Sequence, residues 1–154
     1  MKKLPIGFAD FEEICRRGCV YADKTEFLHN LLVDGNPFFL SRPRRFGKSL
    51  LVSTLEAILR GRRELFQGLW IDSSDYDWAA YPVIRFSMDN IYSSDPTIVE
   101  KALRFALDNI VSQESFSPDR LELLKNWPTL GTYFSAVIGE FRFKYGLKPA
   151  ILID

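Results

Sequence analysis

Apolar and polar positions along the chain change period several times, and each change marks an element. Over residues 9–17 Phe11 and Ile14 share one side of a short helix that Gly18 ends, and residues 19–22 read as an extended piece. Asp23-Lys24-Thr25 opens a second helix, whose stripe of Phe27, Leu28, Leu31 and Leu32 runs to a stop at Asp34-Gly35-Asn36. Residues 37–40, Pro-Phe-Phe-Leu, form a short apolar run between turn residues, the pattern of a strand buried on both faces in a parallel sheet. An irregular loop follows, then a helix over residues 48–59 carrying Leu51, Leu55, Ile58 and Leu59, with Gly61 as its stop.

The second half repeats the alternation. Residues 82–89, with Val83, Ile84, Phe86 and Met88, read as a strand. Asp95 is suited to cap a helix that starts at Pro96 and carries Val99, Leu103, Leu107 and Ile110 to about Ser112. Ser117-Pro118 starts a short helix to Lys125, and Phe134, Val137, Ile138, Phe141 and Tyr145 mark another that Gly146 stops. Residues 149–153 are then an apolar strand that ends in Asp154. Strands separated by helices imply an α/β fold with parallel pairing.

Length narrows this to one continuous unit, because 154 residues is the size of a single domain at about 100 to 200 residues each. At 47% hydrophobic and 26% charged residues the chain has the apolar surface for a core and is not of the disordered class. Twenty basic residues balance twenty acidic ones, so no global field draws the surface onto nucleic acid or anionic membrane. No apolar run approaches the roughly 20 residues of a membrane-spanning helix, and Pro5, Asp10, Glu12 and Glu13 interrupt any signal-peptide core, so a cytoplasmic protein with no membrane partner is expected. Cys15 and Cys19 make a poor disulfide framework, and with His29 the sole histidine neither a zinc site nor a catalytic dyad is expected.

The strongest chemical signal is Arg42-Pro43-Arg44-Arg45-Phe46-Gly47-Lys48-Ser49, which fits the phosphate-loop pattern G-x-x-x-x-G-K-[ST] at every defined position except the first. Gly47 lets the backbone approach a phosphate, and the helix that follows aims amides and a favourable dipole at its oxygens. Lys48 would reach the β- and γ-phosphates of a nucleotide, and the Ser49 hydroxyl would ligate Mg2+. Arg42 stands where the pattern has glycine; if that position requires positive φ, arginine costs about 1 kcal/mol there. Ile151-Leu152-Ile153-Asp154 has the form of the Walker B strand, whose aspartate supports the magnesium ion.

These strings carry a resemblance. The chain resembles the predicted AAA-ATPase-like family of bacterial proteins in Leu4-Pro5-Ile6-Gly7, in Tyr21-Ala22-Asp23-Lys24-Thr25, in Ser41 followed by the whole phosphate loop, in Leu65-Phe66-Gln67-Gly68-Leu69 and in Tyr81-Pro82-Val83-Ile84. It implies a P-loop NTPase-like parallel sheet flanked by helices, with residues 1–154 forming the N-terminal portion from phosphate loop to Walker B strand, incomplete at the C-terminus. It implies ATP and Mg2+ as cofactors, Arg42, Pro43, Arg44, Arg45, Phe46, Gly47, Lys48, Ser49 and Leu50 around the nucleotide, Lys48 in the catalytic role, and Ser49 with Asp154 at the metal. It makes Arg42 a family variant of the loop. Members continue into a catalytic glutamate, sensor residues and often a restriction-endonuclease-like nuclease domain, so ATP binding with weak or absent hydrolysis is expected of this chain. In related ATPases the strand after Walker B inserts beside the phosphate-loop strand, so a chain ending at Asp154 is expected to leave a gap in its sheet. Homo-oligomers, and nucleic acid reached through a longer parent protein, are the partners that the resemblance allows.

Other residues keep two readings. Arg42, Arg44 and Arg45 could contact phosphate or nucleic acid, or pair with acids and water, and they carry the alternative of a nucleic-acid or protein-partner module. An inactive remnant of a larger ATPase-nuclease is a further alternative. Asp23 is expected to cap a helix rather than to lie near a nucleotide base. Trp70, Tyr76, Trp78 and Tyr81, set among Asp72, Asp75 and Asp77, are expected to pack their rings on the core.

Overall fold

The computed structural model describes residues 3–43, 45–88, 93–124 and 127–154. The chain divides into two compact units, Met1–Ala80 and Tyr81–Asp154, instead of the single unit its length suggests.

The first unit is helical. α1 (Phe11–Arg16), α2 (Thr25–Asp34) and α3 (Lys48–Leu59) are followed by two 3-10 turns, Arg63–Phe66 and Trp70–Ser73. Asp10 caps α1 by accepting the Glu13 N–H at 2.9 Å, and Gly35 ends α2 in the left-handed conformation that glycine adopts without a steric cost. Phe11, Ile14, Leu28, Leu55, Ile58, Phe66 and Ile71 are buried. α1 packs on α3, and the contact has a polar centre: buried Ser53 accepts the Phe11 N–H at 2.9 Å while donating its own proton to Asp10 at 2.8 Å. Phe66 stacks on Phe11 with ring centroids 4.7 Å apart and meets Trp78 at 5.2 Å, so Trp78 of the acidic aromatic stretch packs on the core as expected, whereas Trp70 and Tyr81 are exposed. Trp70 and Tyr76 lie edge-on to His29 at 5.4 and 6.2 Å. Gly61 sits at φ 69, and a Cβ there would come within 2.8 Å of the Trp78 carbonyl; only glycine fits.

Asp23 and Thr25 do more than start α2. Asp23 Oδ1 accepts from the Thr25 N–H at 2.8 Å and from the Thr25 hydroxyl at 2.7 Å, while Oδ2 accepts the Trp70 N–H at 2.7 Å. Buried Thr25 Oγ1 accepts the Ile71 N–H at 3.1 Å. The pair therefore clamps α2 to the turn at Trp70–Ser73. Partial burial pushes the Asp23 carboxyl upward, but the Trp70 N–H and the two Thr25 donors outweigh it and hold the group below its ordinary range.

The second unit carries the sheet. β1 (Val83–Phe86) and β2 (Ala150–Ile153) pair in parallel, with Val83 opposite Ala150 and Phe86 opposite Ile153. Between them run α4 (Pro96–Gln113), α5 (Pro118–Leu123) and α6 (Leu130–Tyr145). Asp95 caps α4 through the Thr97 N–H at 2.8 Å, as its position before Pro96 predicts, and Thr129 and Thr132 form a reciprocal cap on α6. Ile84, Phe86, Leu107, Val111, Leu124, Tyr133, Val137 and Phe141 form the core. The expected ends of the first strand at Asp89 and of the short helix at Lys125 lie outside the described residues.

The parallel α/β pairing of the second half thus agrees with the sequence pattern. The strand expected at residues 37–40 does not form: among the described residues no ladder includes it, and Phe39 is 91% exposed. A strand is made by a partner's hydrogen bonds, and an apolar run does not by itself provide them.

Two outcomes test this packing. Phe141→Ala empties the centre of the second core and costs about 3 to 5 kcal/mol by denaturant unfolding. Thr25→Val keeps the shape of the side chain but strands the buried Ile71 N–H, costing about 1 to 3 kcal/mol. Because the folded Asp23 carboxyl is the more acidic, its contribution is complete above about pH 4, the unfolded value, and is lost as pH falls through the folded one. Unfolding measured from pH 7 to pH 3 shows a smaller acid loss in Asp23→Asn than in the wild type.

Candidate functional site: a glycine-lysine-serine turn at a helix start

α3 begins at Lys48, directly after the loop, and its buried face (Leu51, Leu55, Ile58 and Leu59) anchors it in the first unit. Gly47 precedes it with φ 74 and ψ 25, a left-handed turn that reverses the chain into the helix. The first hydrogen bond of the helix runs from the Leu51 N–H to the Gly47 carbonyl at 3.0 Å. A helix leaves its leading amides without acceptors of its own, so the Gly47 end is the positive end of the α3 dipole.

Lys48 folds back over the loop. Its Nζ donates to the Arg42 carbonyl at 2.7 Å and to the Pro43 carbonyl at 3.3 Å, which places the ammonium group against the inner side of the turn. Ser49 and Leu50 are half-buried at the first turn of the helix, whereas Arg42, Pro43, Arg45, Phe46 and Gly47 are exposed. Arg44 lies outside the described residues. Arg42 is not in the left-handed region; the strained position is Arg45, at φ 67, three residues further on. A non-glycine residue there costs about 1 to 3 kcal/mol, a strain that clusters where backbone must present itself to a ligand.

The described loop thus brings Gly47, Lys48 and Ser49 together at one helix start, with Arg42, Pro43 and Arg45 along its rim. Its donors are cations, backbone N–H groups and the Ser49 hydroxyl, a set that fits phosphate oxygens.

Asp154 belongs to the second unit, and its surroundings there are well defined. Its N–H donates to the Phe86 carbonyl at 2.9 Å and its carbonyl accepts the Met88 N–H at 2.8 Å, so the end of β1 and the residues just after it pin the backbone at both groups. The carboxylate is 7% exposed and pairs with the Arg85 guanidinium, Nη2 to Oδ2, at 3.2 Å. Arg85 escaped the sequence reading, although one signal was there: a lone cation in the otherwise apolar strand Val83–Phe86. Among the described residues no three His, Cys, Asp or Glu side chains cluster as a metal site. The donor here is one carboxylate, and Mg2+ can bind through a single carboxylate where water and substrate phosphates supply its other ligands.

The residues expected to be bystanders are also placed. Cys15 is half-buried and donates weakly to the Leu65 carbonyl at 3.5 Å, and His29 Nε2 lies 3.2 Å from Asp75. Among the described residues no helix is long and apolar enough to cross a membrane.

Comparison with known proteins agrees with the motif strings. A family described as "Predicted AAA-ATPase" matches residues 5–154. A protein of Azotobacter chroococcum mcd 1, described as an uncharacterized protein in the vnfD 5' region, is 47% identical over 89 residues, covering 56% of this chain and 17% of its own length. No solved structure matches the chain. The family match spans nearly the whole sequence and takes in both the Gly47-Lys48-Ser49 turn and the Asp154 strand; the chain belongs to the predicted AAA-ATPase family.

Proposed function

We propose that the loop from Arg42 to Leu50 binds the phosphates of Mg-ATP and that this chain is the nucleotide-binding part of an AAA-like P-loop ATPase. The observation that carries the reading is the Lys48 ammonium folded onto the Arg42 and Pro43 carbonyls beside the left-handed Gly47 at the start of α3. In this reading the lysine exchanges two carbonyl acceptors for anionic phosphate oxygens, which form the stronger bonds.

Each residue has a physical task in this reading. Gly47 admits the phosphate close to the backbone, Lys48 neutralises its charge, and the Ser49 hydroxyl ligates the metal. Arg42 and Arg45 add positive potential at the rim, and Arg44 adds a further charge to the same stretch of sequence. Within the second unit, Asp154 at the end of β2 is the acid that this reading assigns to metal support. Mg2+ supplies neutralisation of the charge that develops on the phosphates. Hydrolysis also needs a base to orient water, and amides, an ammonium and a hydroxyl offer none, so binding is the activity this loop supports. The same reading locates the protein in the cytoplasm, where ATP is available.

Thermal unfolding with and without millimolar Mg-ATP tests this. The wild type gains several degrees, the size of shift that follows from saturating a site by about a hundredfold. Lys48→Ala gains none, while its ligand-free stability stays within about 0.5 kcal/mol of wild type. An equal shift in Lys48→Ala removes the loop from the account. Salt-sensitive binding of a nucleic-acid probe that survives Lys48→Ala, with no nucleotide shift in either protein, replaces it with a binding module built on the arginines.

A further inference from the structure

We infer that Arg85 holds the Asp154 carboxylate in the place of a metal ion and releases it when the metal arrives, so that Arg85 sets the metal affinity of this strand end. The inference rests on the reading of Asp154 as a metal-supporting residue.

Four features of the second unit lead to it. The Asp154 backbone is fixed by the end of β1 and the residues just after it, through its own N–H and carbonyl, so the carboxylate cannot retreat with its main chain. The side chain is 7% exposed, and a buried carboxylate is costly unless a cation or donors satisfy it. Arg85 supplies a cation from the neighbouring strand, Nη2 to Oδ2 at 3.2 Å. Arg85 is in turn 27% exposed, and a long arginine stem can carry its head from a buried partner to water without moving the strand.

A divalent ion at Asp154 would meet the guanidinium at a few ångströms, where like charges repel strongly in a partly desolvated site. Arg85 and the metal therefore compete for one carboxylate. Before metal arrives the arginine keeps that carboxylate oriented and compensated; afterwards its head group has left the carboxylate. The competition lowers metal affinity, and the same arginine protects the buried charge when no metal is present.

The test is direct Mn2+ binding to the nucleotide-free chain, read by enhancement of water-proton relaxation, which detects weak sites. Arg85→Gln keeps a hydrogen-bond donor of similar reach but removes the charge, and is expected to bind Mn2+ about tenfold more tightly than wild type, the scale on which neighbours of metal ligands act. The double variant Arg85→Gln/Asp154→Asn loses that gain. Equal affinity in wild type and Arg85→Gln overturns the inference, as does a gain that persists in the double variant. Should Arg85→Gln not fold, the wild type decides: Mn2+ is expected to raise severalfold the rate of phenylglyoxal modification at Arg85, mapped by mass spectrometry, and an unchanged rate overturns the inference. Neither measurement involves nucleotide or Lys48, so failure of ATP binding and failure of the Arg85 contact register separately.

Discussion

Burial of one face of α3 is the constraint on which the candidate site depends. Leu51, Leu55, Ile58 and Leu59 lie against the core of the first unit, and α1 locks onto the same helix through Ser53, Asp10 and the Phe11 N–H. A helix held this way has a fixed start, and the Gly47-Lys48-Ser49 turn is that start. Apolar area far from the chemistry thus gives the loop its geometry. Strain at Arg45 persists on the same terms: a backbone cost is tolerated where well-packed structure beyond it leaves no alternative.

In the second unit the corresponding constraint is the parallel pair. Its register fixes Asp154 beside β1 and within reach of Arg85, while α4 and α6 cover the sheet with Leu107, Val111, Val137 and Phe141. Polar ties reinforce the helix pair at its ends. The Tyr133 hydroxyl donates to Asp108 on α4, and burial together with that bond raises its pKa. Glu114 accepts from both Lys144 and Tyr145, and the Glu114 bond raises the Lys144 pKa. Such pairs add modestly to stability and fix the register of the helices more than they add energy.

The motif and the strand before it fared differently, and the contrast is instructive. Gly47, Lys48 and Ser49 form their turn from information within a few residues: a glycine for positive φ and a helix stripe after it. Residues 37–40 have an equally clear apolar pattern, yet they are irregular, with Phe38 and Phe39 exposed, because a strand's hydrogen bonds come from another segment. For Asp23 the local reading held in part. Its carboxylate accepts the Thr25 N–H at the first residue of α2, although Lys24 and not Asp23 holds the cap position, and its second oxygen reaches Trp70, a long-range contact that spacing alone could not reveal.

The sequence by itself determined the helices, the Asp95 cap and the glycine stops, the parallel character of β1 and β2, and the phosphate-loop string that carries the family. All of these are written in periods of two or 3.6 residues, in glycine and proline, or in contiguous motifs. Only the tertiary structure decided that the chain forms two compact units, that Lys48 rests on the Arg42 and Pro43 carbonyls, that strain sits at Arg45 and not at Arg42, and that Arg85 occupies the Asp154 carboxylate. Those outcomes depend on which segments meet in space, and packing and charge compensation between distant residues leave no periodic trace in the chain.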